Sequence, residues 1–392
     1  MTIQRIVRAA ACCAFAASLT CTSGAAAPSD VNVGLIVSTS GLLGLYGNEY
    51  LEGFKVGLDY ATHGTGMVNG RKIVASTYDD AGDPAKAVAT AKDVIGQGDK
   101  IIAGTVSSGI ALQLAPIAKE NNILYISGPA ATDGVTGANR NTFRSGRQTY
   151  QDVLSVGTVL GSNLRNKHVL VLAQDTAFGQ ANVAAARAVL GGEGATVDGL
   201  LVPLSANDFT PFAQKVLDAK PDMLFVAWAG TTSAALFKSL TDSGVVNATK
   251  VATGLAQRSS YPYYGDDPSK VFFLAHYLVE CCNNPANRYL ADTLKKQGKT
   301  PDLFDDDGFV AAQMIVHAVA ASGGDDVAKM ISSLEGWKFT GPKGPMQIRA
   351  ADHAMLQPMF IVRLEKSGSG FRPVVLRTLS PGTVAPPVHP FQ

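Results

Sequence analysis

Short runs rich in valine, isoleucine and leucine alternate along the chain with longer stretches whose apolar residues recur every three or four positions. VNVGLIV from Val31, RKIVASTY from Arg71, KIIAGTV from Lys100 and ILYIS from Ile123 read as strands, with helical spacing over 46–60, 84–97 and 110–121 between them. Strands apolar on both sides and separated by helices predict a parallel sheet covered on both faces. Asn69-Gly70 supplies a tight turn ahead of the second strand.

The same grammar restarts after Phe143. Helices over 150–164, 179–191, 209–219 and 232–243 alternate with the strands HVLVLAQ, TVDGLLVPL, DMLFVAW and KVATG. VFFLAHYLV at 271–279 reads as a return crossing, followed by helices over 286–297 and 307–322 and a strand QPMFIVRLE at 357–365. A pattern used twice, in a chain of 392 residues, predicts two similar lobes rather than one core. The fold class is therefore α/β, with two three-layer parallel-sheet lobes joined by a multi-crossing hinge. Residues 30–147 with 278–352 make lobe 1, 148–277 with 353–380 make lobe 2, and 381–392 form a tail. The crossings fall at 146–148, near Tyr277 and within 341–352.

Ligands of such sheets sit at the carboxyl ends of the strands, so the cleft between the lobes is the expected site. Ser107 and Ser108, in IIAGTVSSGIALQLAP, lie where a strand ends and a helix begins. Unpaired backbone N–H groups and hydroxyls converge there and favour a carboxylate or phosphate. The alternative is that one serine only caps its own helix.

Composition and charge narrow the setting. A basic start (Arg5, Arg8), an apolar stretch over 9–19 and a small-residue exit at 24–27 read as a secretory signal peptide cut after Ala26. No run reaches the roughly 18 to 20 residues a membrane span needs, so an exported, periplasmic protein without direct membrane insertion is expected. A formal net charge of +1, with no basic cluster, argues against nucleic acid or an anionic membrane as partner. Only Cys281 and Cys282 follow the leader; neighbours bridge only with a distorted peptide between them, so they read as two semi-buried thiols. There is no G-x-S-x-G elbow, no Walker motif and no histidine pair at ligand spacing, so no catalytic residue, cofactor or metal is expected. Asp305-Asp306-Asp307-Gly308 lacks the alternation of a calcium loop and reads as helix capping and solvated charge.

The succession VNVGLIVSTSGLLGLYGNEYLEGFKVGLDY, GMVNGRKIVASTYDDAGDPAKAVATAKDVI and IIAGTVSSGIALQLAPIAKENNILYISGPAATD, continued by VLVLAQDTAFGQ, NDFTPFAQKV and PDMLFVAWAG, resembles the leucine/isoleucine/valine-binding proteins of ABC transporters. The likeness spans essentially the whole chain after the leader and implies the type I periplasmic binding fold. It further implies a monomer whose lobes close on a small-molecule carboxylate and deliver it to ABC permease subunits, without catalysis. A sensor of the same fold feeding a signalling receptor, and an exported enzyme, are the rival readings.

Residue by residue, the resemblance implies Ser107 and Ser108 for the ligand carboxylate, and Ala130 and Thr132 for its α-carboxylate and α-ammonium groups. Tyr46 covers the ligand from lobe 1 and Phe178 from lobe 2. Trp228 and the small Ala229 stand where other members carry tyrosine; the indole either faces a flat ligand or packs in the core. Where amino-acid binders place an acid for the ammonium, VATGLAQR puts Leu255, with Gln257 near enough to replace part of that charge by dipole. The substitution favours an acid without an α-amino group, the family an amino acid, and both classes stay open.

Overall fold

The computed structural model describes residues 29–161, 163–254, 256–265 and 267–391. The leader assignment and Leu255 lie outside the described residues. The first sheet is built from β1 (Val31–Val37), β2 (Met67–Val68), β3 (Arg71–Asp79), β4 (Ile101–Gly104), β5 (Leu124–Ser127) and β6 (Thr142–Arg144), interleaved with α1 (Gly44–Ala61), α2 (Pro84–Gly96) and α3 (Ser108–Glu120). Its strand order is β2-β3-β1-β4-β5-β6, parallel except for the β2–β3 hairpin.

After β6 the chain enters α4 (Thr149–Leu160), β7 (His168–Gln174), α5 (Ala177–Ala186), β8 (Thr196–Val202), α6 (Thr210–Ala219), β9 (Met223–Ala227), α7 (Ser233–Asp242), α8 (Val245–Ala248), β10 (Lys250–Gly254) and β11 (Val271–Ala275). It returns to the first lobe through α9 (Pro285–Lys295), α10 (Leu303–Ser322), α11 (Val327–Leu334) and a small sheet of β12 (Lys338–Gly341), β13 (Gly344–Ile348) and β14 (Met355–Leu356). β15 (Met359–Ser367) and β16 (Gly370–Leu379) close the second sheet, in the order β16-β15-β11-β10-β9-β7-β8.

In each sheet the strand order reverses beside the first strand: β3 and β4 flank β1, and β8 and β9 flank β7. Loops leaving the two strands at such a reversal diverge and leave a crevice. The two crevices face each other.

Several boundaries differ from the sequence reading. β11 stops at Ala275, not 279, and α10 starts at Leu303, not 307, because Asp302 and Asp305 form a capping box at its start. β16 joins β15 as an antiparallel edge hairpin that no run predicted; its Pro373 is tolerated at a sheet edge. Cys281 and Cys282 are not thiols but a vicinal disulfide, at the end of the short turn by which the chain leaves the second sheet.

The aspartate run is the largest correction. Asp305, Asp306 and Asp307 are buried, not solvated. α10 packs backbone to backbone on α1: a Cβ on Gly53 would lie 1.9 Å from the Asp305 carbonyl oxygen, and one on Gly308 1.9 Å from that of Tyr50. Glycines at these contacts remove the spacing that side chains impose, and the acids between them go inside with the helix.

Candidate ligand-binding site

Between the two crevices lies a cavity of about 280 Å³. On the first-lobe side the chain leaves β4 through two residues at positive φ, Gly104 (+106°) and Thr105 (+71°). A Cβ at Gly104 would sit 2.5 Å from the Ile36 carbonyl oxygen. Thr105 is held in the left-handed region by its N–H donating to that same oxygen (2.7 Å) and by contact with the Tyr125 hydroxyl (2.6 Å). This kink carries Ser107 and Ser108 to the cavity wall at the N-terminus of α3. Ser107 is the N-cap residue, yet its side chain makes no capping bond. Ser108 Oγ accepts from the Thr132 N–H at 3.3 Å.

The second-lobe side is mostly aromatic. Phe178, Trp228, Phe225, Phe237 and Tyr264 line it, with Ala229 between them. The Trp228 indole N–H donates to Thr232 Oγ1 (3.0 Å) and its ring meets Phe209 edge-on at 5.3 Å, so the indole is fixed as a wall. Gln174 grips Ala229 at both ends, donating to its carbonyl (3.0 Å) and accepting from its N–H (3.1 Å). Tyr46 reaches across from α1: its hydroxyl accepts from the Gly230 N–H (2.9 Å), its ring lies 4.7 Å from Phe304, and burial pushes its ionisation above the usual tyrosine range.

Of the residues named from sequence, Tyr46, Ser107, Ser108, Phe178, Trp228 and Ala229 line this cavity. Ala130 and Thr132 do not; their neighbours Pro129 and Ala131 line it instead. Ala130 packs against Ala111 and Val135, and the Thr132 carbonyl accepts from Arg144 (2.7 Å). Gln257 faces a neighbouring cleft at the mouth, where it donates to Glu49 over 3.5 Å. Leu255 lies outside the described residues.

Sequence reasoning missed the charged floor. Arg147, Asp152 and His276 all line the cavity. Arg147 Nε stands 3.4 Å from Asp152 Oδ2, and its Nη1 donates over 3.4 Å to the Pro129 carbonyl. Burial holds the Asp152 carboxyl above the usual range, with Arg147 opposing it. Burial also holds His276 well below its ordinary value, so the neutral ring donates through Nε2 to the Leu303 carbonyl at 3.1 Å. No sequence signal marks these residues, since Arg147 lies in the first crossing and Asp152 looks like an ordinary acid in a first helical turn.

Residues 30–369 match the periplasmic binding protein family. The chain belongs to that family. A Leu/Ile/Val-binding protein homolog from Brucella melitensis is 25% identical over 329 residues, covering 83% of this chain and 88% of the relative. The crystal structure of an ABC-type branched-chain amino acid transporter from Rhodopseudomonas palustris is 31% identical, with a TM-score of 0.78, covering 93% of this chain and 100% of the other. An R. palustris solute binding protein in complex with 4-hydroxybenzoate shares the fold at a TM-score of 0.80 and 23% identity, over 90% of this chain and 97% of its own. Like its relatives, this periplasmic binding protein is built on two α/β lobes with a cavity between them. Among the described residues no helix is long and apolar enough to cross a membrane.

Proposed function

We propose that this periplasmic binding protein is the exported, monomeric solute-binding component of an ABC importer. It captures a small carboxylic acid with an apolar or aromatic body by lobe closure and presents it to membrane permease subunits. The observation that carries this reading is the uncapped cap: Ser107 occupies the N-cap position of α3 at the cavity wall while its hydroxyl leaves the helix N–H groups unbonded. Those groups, the hydroxyl and the adjacent Ser108 converge where an anion gains most. The aromatic wall opposite suits an apolar or flat body, in keeping with relatives described as Leu/Ile/Val-binding and a structural neighbour holding 4-hydroxybenzoate. Ala130 and Thr132 support the serine turn from behind, Tyr46 lids the cavity, and Phe178, Trp228 and Ala229 grip the body. Gln257 stands at the mouth.

The test is a thermal-shift screen against amino acids and aromatic acids, followed by calorimetry with the best acid. Binding to the native state raises the melting temperature. Ser107→Ala combined with Ser108→Ala is expected to weaken the acid at least tenfold at unchanged melting temperature, because hydrogen bonds to a charged group are the strong ones. An unchanged dissociation constant in the double variant reduces the serine turn to a cap. Small-angle scattering with the bound acid is expected to show contraction.

A further inference from the structure

The cavity holds a cation and an anion side by side, and each is poorly served by the protein. Arg147 has five N–H donors but reaches Asp152 and the Pro129 carbonyl only at 3.4 Å each, longer than a good charge-assisted bond of about 2.8 Å. The Asp152 side chain is 11% exposed and the Arg147 side chain 14%, and both line the cavity. The other charged groups near Asp152 are Asp133, which repels it, and Arg144. Asp133 is already engaged by Gln148 (2.9 Å), Thr149 and the Tyr150 N–H (3.0 Å), whereas the Asp152 carboxylate has among the described residues the long Arg147 contact at 3.4 Å. A buried carboxylate left in that state calls for a donor, and a buried guanidinium with idle N–H groups calls for an acceptor.

We propose that Arg147 and Asp152 form a two-headed subsite, in which Arg147 shares the ligand carboxylate with the α3 N-terminus and Asp152 accepts from an ammonium group on the same ligand. Asp152 is then the residue that discriminates acids bearing an amino group from those without one. It supplies from α4 the negative charge that the 250–257 segment does not carry. This rests on the carboxylate reading above.

The experiment is calorimetry with two matched pairs that differ only in the amino group, phenylalanine with 3-phenylpropionate and leucine with 4-methylpentanoate. The wild-type chain is expected to bind the amino acid of at least one pair tenfold or more tightly than its amino-free partner. Asp152→Asn removes that preference by weakening the amino acid at least tenfold, and leaves the amino-free acid unchanged or tighter, since it no longer shares Arg147 with a carboxylate. Asp152→Ser gives the same reversal with a smaller side chain, and Arg147→Met weakens both members of a pair. A wild type that prefers the amino-free acid, or a preference that survives in both Asp152 variants, overturns the inference and leaves the carboxylate reading standing. If none of the four probes binds to wild type, both fall.

Discussion

Two acid-rich clusters pack between the lobes, one beneath the cavity floor at Asp306 and Asp307 and one at the cleft mouth, and they solve the same electrostatic problem differently. At the floor, Asp306 and Asp307 of α10 are buried beneath the crossings. Lys343, itself fully buried, places Nζ 2.7 Å from Asp306 and also donates to Gln357 Oε1 at 2.7 Å. Gln357 in turn donates to Gln151 of α4 (3.1 Å), so one cation ties α10 to the starts of α4 and β15. At the mouth, Glu49 of α1 has Asp302 and Asp305 as neighbours and accepts from the Gln257 amide of the other lobe at 3.5 Å. Asp302 accepts from the Arg258 N–H at 2.7 Å. Burial first, then these acids, push Glu49 up to about 9, and burial pushes Asp302 up to about 6. The floor sets a lysine against Asp306, while burial pushes Asp307 up to about 7. The mouth neutralises Glu49 with a proton.

The largest effect is expected at the floor. Lys343→Met leaves buried carboxylates without their cation, which costs about 3 to 5 kcal/mol. Combining it with Asp306→Leu recovers most of that loss, since an apolar pair of similar volume replaces an ion pair at little cost. Denaturant unfolding of the three proteins checks both statements; equal stability of Lys343→Met and wild type would remove the floor from the comparison.

The mouth should answer to pH instead. A carboxyl raised in the native state holds a proton that the unfolded chain has released, so its contribution falls as pH rises from about 4.5 through about 9. One whole proton corresponds to about 1.4 kcal/mol per pH unit, and the acids that share the site bring the slope below that limit. Glu49→Gln is expected to flatten this part of the stability profile and to exceed wild type most at pH 9. Melting temperatures of both proteins between pH 6 and 9 decide it, and parallel profiles would exclude a protonated clasp.

Smaller still is the surface part of the clasp. Arg258 pairs with Glu280 at 2.5 Å, but the two side chains are 27% and 44% exposed. Arg258→Ala should cost less than about 1 kcal/mol, and 0.5 M salt should erase the difference. The Asp302 contact survives it, being made to the backbone N–H of Arg258.

A last contrast concerns two strand–helix turns that meet in the cavity. Thr176 caps α5 by accepting from the Gly179 N–H at 3.2 Å, whereas Ser107 leaves its own helix uncapped. Thr176→Ala is therefore expected to cost about 1 kcal/mol of stability while calorimetry shows an acid affinity within threefold of wild type. That is the opposite pattern to the serine pair.

The alternation of apolar runs and helical stretches made both sheets legible, because a doubly covered strand must be apolar on both faces. The β4–α3 turn was legible too, since small hydroxyl residues at a strand end announce a helix start. β16 was not, because an edge strand carries a weaker pattern, here interrupted by Pro373. Nor was the burial of the aspartates. Their sequence is that of a capped, solvated helix start, and the backbone-to-backbone approach of α1 and α10 at Gly53 and Gly308 takes them inside.

Local chemistry is thus what this sequence determines by itself: where strands end, which helix start lacks a bulky residue, and which rings stand ready to line a wall. These follow from interactions a few residues apart. Tertiary structure decided which charges share a cavity. Arg147 reaches the site because the first crossing runs along its floor, Asp152 because α4 turns its first turn inward, and Lys343 meets Asp306 only when chain segments far apart in sequence fold onto each other. Electrostatics in a dry interior depends on distances and partners that no linear pattern encodes.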